Sequence, residues 1–209
     1  GNYAYVADYN NGLMILNIED PTNPNFVGSY DTDSWAYGVT ISGNYAYVAV
    51  YTKGLVILDI EDPANPTLVG SYDTDGWAQS VTISGNYAYV ADYDGGVVIL
   101  NIEDPANPIL VDSYDTAGWA YDVAISGNYA YVADSSNGLK IINIEDPANP
   151  TLVDGYDTDG WARSVTISGN YAYVANNDYG LVIFGIDSDN DDFADLIDAF
   201  PNDSTEWLD

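Results

Sequence analysis

The last part of the chain carries the clearest spacing of residues that could do chemistry. Carboxylates recur there in the order D-x-D-x-D-x-x-x-D-x-x-D, at Asp187, Asp189, Asp191, Asp195 and Asp198. A tightly curled loop turns alternate side chains inwards and a later residue closes the shell, so this spacing is typical of an oxygen cage around Ca²⁺. It predicts Ca²⁺ as a bound cofactor, and a solvated acidic linker is the alternative.

The composition restricts the other chemistry that this chain could carry. Its 209 residues include 3 Lys plus Arg, 33 Asp plus Glu, no His and no Cys, for a net charge of −30. Zinc, iron-sulfur and haem sites and His-dependent triads are therefore excluded, whereas hard cations with oxygen ligands are not. We expect no nucleic-acid partner, because a surface with this much negative charge repels phosphate groups. No apolar run reaches the roughly 18 to 20 residues of a membrane span, so we expect no direct membrane insertion.

The chain before this acidic tail is built from an overt internal repeat. The string GNYAYVA begins at Gly1, Gly43, Gly85, Gly127 and Gly169, which gives a period of 42 residues. The second unit shows four short strands, over 35–42, 44–50, 54–60 and 66–73, separated by Gly and Pro turn signals. Four antiparallel strands at this period are the signature of a β-propeller blade. We therefore expect an all-β propeller of four-stranded blades over 1–186, followed by a separate acidic calcium-binding segment over 187–209.

The strand count bears on how the propeller closes. The pattern yields eighteen strands, two fewer than five complete blades would need. A ring of four blades would leave two strands over. The sequence therefore favours five blades with incomplete ends, and part of a larger ring is the alternative.

The repeats differ from one another mainly on one side of the predicted disc. The loops between the second and third strands of each blade read DYNNG, VYTKG, DYDGG, DSSNG and NNDYG, whereas the other turns hardly vary. The start of the first strand varies too. It lies on the same side of the disc as these loops because strands alternate in direction. Propellers bind ligands at one face, so the candidate ligand-binding residues are Tyr37, Gln79, Tyr121, Asp122 and Arg163. Free drift of exposed loops is the alternative, and Asp122 could be the ion-pair partner of Arg163.

Several recurring residues have a structural interpretation. One Trp per blade opens the predicted first strand, and we expect its ring to fill the wedge between blades. These residues are Trp35, Trp77, Trp119 and Trp161. The Glu-Asp pair that opens each EDPANP turn is interpreted as turn-forming, because Asp before Pro favours turns.

Two family resemblances follow from these motifs. The runs LVILDI at 55–60 and LVIFGI at 181–186 resemble the LVIVD-repeat propellers, and GVTISGNYAYVA at 38–49 is similar to YVTN-type blades. The tail resembles a bacterial thrombospondin type 3 calcium-binding repeat, whose continuation DAFPNDSTEW matches 198–207. That resemblance implies the five tail aspartates as ligands, and the backbone carbonyl of Phe193 as a further one.

Three functions compete on this basis. We expect a non-catalytic binding or scaffold module, secreted or at the cell surface, where millimolar calcium suits a low-affinity aspartate cage. Its partner would be an unidentified protein or glycan at the variable face. The first alternative is an assembly unit that self-associates through the edges of its terminal blades. The second is a propeller lyase or hydrolase that uses axial carboxylates.

Overall fold

The fold is all-β, with five antiparallel sheets that follow the 42-residue repeat. A computed structural model describes residues 1–177 and 179–186, and the backbone of 196–197. The strands are β1 (Tyr3–Ala7), β2 (Leu13–Asn17) and β3 (Asn25–Tyr30) in the first sheet; β4 (Ala36–Ser42), β5 (Tyr45–Val50), β6 (Gly54–Asp59) and β7 (Thr67–Tyr72) in the second; β8 (Ser80–Ser84), β9 (Tyr87–Ala91), β10 (Val97–Asn101) and β11 (Ile109–Tyr114) in the third; β12 (Asp122–Ser126), β13 (Tyr129–Ala133), β14 (Leu139–Asn143) and β15 (Thr151–Tyr156) in the fourth; and β16 (Ala162–Ser168), β17 (Tyr171–Asn176), β18 (Gly180–Gly185) and β19 (Leu196–Ile197) in the fifth. The predicted fold class is confirmed.

The first four sheets are simple meanders, because short turns and loops join neighbouring strands. Gly54 shows why one of these turns requires glycine. Its φ is +68°, and an added Cβ would lie 2.4 Å from the carbonyl oxygen of Tyr72. A larger residue would therefore clash with the backbone of the fourth strand as well as strain its own.

The hydrophobic core is divided into four parts, one between each pair of consecutive sheets. Side chains of β5 alternate between two of them: Tyr47 and Ala49 face the third sheet, and Val48 and Val50 face the first. Both faces of an internal sheet are thus buried, which explains why its strands are apolar at nearly every position.

None of the four cores joins the fifth sheet to the first. Val6 on β1 is 38% exposed, although its counterparts Val48 and Val90 are fully buried. Leu181 on β18 is 43% exposed, although Leu55 at the same repeat position is fully buried. The outer faces of the two terminal sheets are therefore open to solvent in the part of the chain that the structure describes.

The fourth strand of the fifth sheet comes from beyond the expected boundary at residue 186. Backbone pairing joins Ile183 to Ile197 and Phe184 to Leu196. The predicted calcium ligands Asp187, Asp189, Asp191, Phe193, Asp195 and Asp198 lie outside the described residues.

The innermost strands β4, β8, β12 and β16 lie side by side around the axis. They line a cavity of about 400 Å³. Hydroxyl groups connect them, since Thr40 Oγ1 donates to the Val81 carbonyl at 2.6 Å and Thr82 Oγ1 to the Val123 carbonyl at 2.7 Å. Among the described residues there is no helix that is long and apolar enough to cross a membrane.

Candidate functional site

The variable loops are fixed against the start of the next sheet. The loop after β1 places Tyr9 beside Ala36, and their backbones exchange hydrogen bonds of 3.1 and 2.9 Å. The same bridge recurs between Tyr93 and Ala120 and between Ser135 and Ala162. Each loop therefore lies on the same face as the entry to the neighbouring innermost strand, as the alternating strand direction predicts.

An unbroken row of aromatic rings results from this arrangement. Tyrosines from the loops interleave with the tryptophans that precede the innermost strands. Along the row, the successive ring centroids lie 4.7, 5.0, 5.0, 5.2, 5.0 and 6.2 Å apart. We call it the aromatic belt, and its members in order are Tyr9, Trp35, Tyr51, Trp77, Tyr93, Trp119 and Trp161.

The belt is accessible to a ligand. Its four tryptophans are 38 to 42% exposed and Tyr9 is 41% exposed. The expectation that these indoles fill the wedge between blades is therefore wrong: small, buried residues such as Ala78 and Ala120 occupy that position. The loop tyrosines were missed, although three of the five loops carry Tyr at the same 42-residue spacing as the tryptophans.

Three of the five predicted ligand-binding residues lie beside the belt on its inner side. The Tyr37 ring centroid is 5.5 Å from that of Tyr9, and Tyr121 is 5.5 Å from Tyr93. The Arg163 guanidinium lies 4.1 Å above the Tyr121 ring and 5.1 Å from that of Trp161. These distances are within the range of cation–π attraction.

Phenol groups in the belt and on its inner side are partly desolvated. Burial, together with a hydrogen bond to Tyr9, raises the pKa of Tyr37 to about 12. Burial and a hydrogen bond to Tyr121 raise the pKa of Tyr93 to about 12. These tyrosines therefore stay neutral hydrogen-bonding groups at physiological pH.

The remaining two predicted residues are engaged elsewhere. The Gln79 side-chain amide donates a hydrogen bond to the Trp77 carbonyl at 3.0 Å, and so helps to fix the backbone of a belt residue. Asp122 accepts hydrogen bonds from the hydroxyls of Ser80 and Ser164 at 2.6 and 2.7 Å, and from the backbone N–H groups of Val123 and Val165. Among the described residues no carboxylate lies within ion-pair distance of Arg163, so the alternative that Asp122 is its ion-pair partner is wrong.

The loop backbone is strained where it presents these tyrosines. Tyr9 has a φ of +42° and Tyr93 a φ of +53°, a region that bulky residues rarely occupy. Such strain persists only where surrounding contacts enforce it, and it often accompanies function. Ser135 has the same φ without a ring, so Trp119 and Trp161 contact each other directly, at an angle of 86°.

A buried carboxylate holds the loop ahead of Trp77. Asp92 is fully buried and accepts hydrogen bonds from Thr74 Oγ1 at 2.5 Å and from the Gly76 N–H at 2.9 Å. Burial raises its pKa to about 6 despite these bonds. Asp134 holds Thr116 in the same way at 2.6 Å, and burial raises its pKa too.

Exposed aspartates lie two and four residues before the tryptophans of the belt in the sequence. We call them the acidic margin: Asp31, Asp33, Asp73, Asp75, Asp115, Asp157 and Asp159. Lys53 pairs with Asp33 at 3.1 Å.

No group of acidic side chains in the described part of the chain is arranged to hold a metal ion. The aspartates of the EDPANP turns bond within their own turns instead. Asp62, for example, accepts from the Asn65 side chain at 2.8 Å and the Ala64 N–H at 3.1 Å, which lowers its pKa. They are turn-forming residues, as expected.

A family model for the LVIVD repeat matches the chain at residues 1–32, 35–74, 75–116, 117–158 and 159–190. Among curated proteins none matches the chain.

Solved structures share the architecture. A functionally unknown protein from Desulfotomaculum acetoxidans DSM 771 matches with a TM-score of 0.75 and 15% identity, over 94% of this chain and 68% of that one. The computationally designed Ika8 protein matches with a TM-score of 0.71 and 13% identity, over 89% of this chain. The designed Ika4 protein matches with a TM-score of 0.60 and 13% identity, over 74% of this chain and 92% of its own. The chain spans only 56% of the length of Ika8. At these identities the likeness shows the fold alone.

Proposed function

The chain belongs to the LVIVD repeat family, and we propose that it is a non-catalytic binding or scaffold module, secreted or at the cell surface, that binds a partner protein or glycan through the aromatic belt. One observation carries the proposal: seven aromatic rings, each within 6.2 Å of the next, form a continuous strip with exposed tryptophans on the variable face. Exposed apolar strips with polar borders commonly mark interaction sites on soluble proteins.

The side chains favour binding over catalysis. General acid–base chemistry needs two positioned groups that can exchange protons with a substrate. Near the axis, Asp122 already accepts four hydrogen bonds that tie together three innermost strands. Its role there is structural.

The proposal is tested by titrating the full chain with a neutral cello-oligosaccharide, an acidic galacturonate oligosaccharide, and cationic and anionic Pro-containing peptides, with tryptophan fluorescence as the readout. We expect at least one probe to bind saturably and without turnover. Binding should be lost in the Trp77→Ala/Trp119→Ala variant and kept in Phe26→Ala, which removes a 64% exposed ring from the outer strand β3. Equal binding by the double variant would contradict the proposal.

We also propose that the segment from Asp187 to Asp198 binds Ca²⁺, with Asp187, Asp189, Asp191, Asp195, Asp198 and the Phe193 carbonyl as ligands. The alternating aspartates support this, because they supply the oxygens that calcium prefers. Calorimetric titration of the full chain with CaCl₂ should release or absorb heat that Asp189→Ala abolishes and Asp62→Ala does not. Unchanged heat in Asp189→Ala would make the segment an acidic linker.

A second candidate function is self-assembly, and a specific observation favours it. The open face of the first sheet carries Val6, and that of the fifth carries Leu181. Residues at these repeat positions meet across the internal interfaces, where they are fully buried. The two open faces are therefore suited to pack between two copies, head to tail.

This candidate predicts a molecular mass that rises with concentration in sedimentation experiments. Leu181→Asp should keep the chain monomeric, because it would bury an unpaired charge. Leu68→Asp, on the exposed outer strand β7, is the matched control and should change nothing. A monomer at all concentrations would exclude assembly by these faces.

A further inference from the structure

We propose that the belt binds an extended, Arg- or Lys-bearing segment of a partner protein. This narrows the ligand class of the proposed binding function and rests on it.

The border of the belt is strongly acidic. Seven exposed aspartates form the acidic margin, and Asp94 adds another carboxylate in the loop that carries Tyr93. The whole chain has a net charge of −30. Complementary charge steers a partner to such a surface and selects against anionic ones.

Two of the three basic residues in the sequence already show how a cation would bind here. Lys53 pairs with Asp33 of the acidic margin at 3.1 Å. Arg163 stacks its guanidinium on Tyr121 at 4.1 Å. The two modes of contact are thus a carboxylate for the charge and a ring for the flat guanidinium or the alkyl stem.

The middle of the belt, at Trp77, Tyr93 and Trp119, has similar features. Its successive ring centroids lie 5.2 and 5.0 Å apart. Asp75 lies two residues before Trp77, and Asp94 follows Tyr93. Among the described residues no basic side chain stacks on these three rings, since Arg163 stacks on Tyr121 and Trp161 and Lys53 pairs with Asp33. The central rings therefore offer a partner's cation the two kinds of contact that Lys53 and Arg163 make.

The stacking geometry favours a peptide over a neutral sugar. A sugar ring packs on the flat face of an aromatic ring, but in the belt neighbouring rings occupy those faces at interplanar angles of 12 to 34° through its middle. What solvent reaches is mainly ring edges. A strip of exposed ring edges suits the alkyl chains of Lys and Arg and the proline rings of an extended segment, as in other aromatic-lined peptide grooves.

The test uses the full chain and a synthetic peptide that alternates Arg and Pro, with analogues in which Gln or Glu replaces Arg. Fluorescence anisotropy and tryptophan emission report binding. We expect the Arg peptide to bind about tenfold or more tightly than the Gln analogue, the Glu analogue not to bind, and affinity to fall between about 50 and about 300 mM NaCl.

Variants separate the belt from general charge attraction. Trp77→Ala should weaken the Arg peptide by about tenfold, as expected for an aromatic anchor. Asp75→Asn should weaken it by a few fold, and Asp62→Asn, an equal change of charge in an EDPANP turn, should leave it unchanged. Circular dichroism confirms that each variant is folded.

The contrary outcomes are distinct. Equal affinity for the Arg and Gln peptides, or full affinity in Trp77→Ala, would overturn the inference. If a neutral cello-oligosaccharide binds in a Trp77-dependent way and the Arg peptide does not, the inference falls and the proposed binding function stands. If no peptide or oligosaccharide binds, both fall.

Discussion

At the scale of single residues, the buried aspartates order the loops ahead of the tryptophans, but burial disfavours their charged form. Asp92 orders the loop ahead of Trp77, yet its carboxylate is fully buried and has a pKa of about 6 instead of 3.8. Between pH 3.8 and about 6, Asp92 therefore binds a proton more readily in the native state than in the unfolded chain. The contribution of Asp92 to stability is greatest in acid and decreases as the pH rises through 6.

Asp92→Asn should therefore stabilise the protein at pH 7.5, by up to about 2 kcal/mol, because an amide can accept from Gly76 and bond Thr74 without a buried charge. Urea denaturation across a pH series measures the effect. The difference from wild type should shrink as the pH falls from 6 to 4.

Asp62→Asn is the control of opposite sign. The pKa of Asp62 is lowered by its hydrogen bond with Asn65, so its contribution to stability is present above the unfolded pKa and lost in acid. This variant should be less stable than wild type at neutral pH, and equally stable in strong acid. A destabilised Asp92→Asn at pH 7.5 would show that the hydrogen bonds outweigh the desolvation.

At the scale of elements, the innermost strands are held together by side chains as well as by packing. Thr40 and Thr82 each donate a hydroxyl hydrogen bond to the next innermost strand. Ala124 stands at the corresponding position of β12 and has no hydroxyl. Asp122 instead connects β12 to its two neighbours.

Thr82→Ala should lower the free energy of unfolding by about 1 kcal/mol, since it removes one hydrogen bond and leaves the Val123 carbonyl without that donor. Thr166→Ala removes the same atoms on β16, but among the described residues the Thr166 hydroxyl makes no hydrogen bond to another sheet, so this variant should have little effect. Thermal denaturation of both variants measures the difference. Equal destabilisation would mean that the loss reflects strand propensity and not the bond.

At the scale of the whole molecule, each hydrophobic core of the described residues lies between two consecutive sheets. Each internal sheet is buried on both faces, whereas the first and fifth have one open face each among the described residues. In repeat proteins, stability is approximately a sum of units and nearest-neighbour interfaces. The terminal sheets have one interface where the others have two.

Native-state hydrogen exchange should therefore be fastest in β1, β2 and β18 and slowest in β9 and β10. The physical reason is that a terminal sheet opens by losing one interface, while a central sheet opens only with the molecule. Mass spectrometry of deuterated peptides measures this. Uniform protection over all five sheets, at a concentration where the chain is monomeric, would contradict the picture.

Much of this architecture was predictable from the sequence. The 42-residue period, the Gly-bearing turns and the strands that are apolar on both faces predict stacked four-stranded sheets without any tertiary information. These signals are local or periodic: a turn needs Gly54, and a sheet covered on both sides needs apolar residues throughout. The one-sided variation also selected Tyr37, Tyr121 and Arg163, which the structure places beside the belt.

The belt itself was decided by the tertiary structure. Tyr93 lies 26 residues from Trp119 in the sequence, and only the bridge between neighbouring sheets brings their rings to 5.0 Å. The sequence cannot show whether a recurring Trp lies inside or outside a wedge, because that depends on which neighbouring residue fills the gap. Here Ala78 and Ala120 take the buried place, so the indoles remain at the surface. The hydrogen-bond partners of Asp122 and the ring contacts of Arg163 were decided in the same way, by distances across sheets that no local pattern encodes.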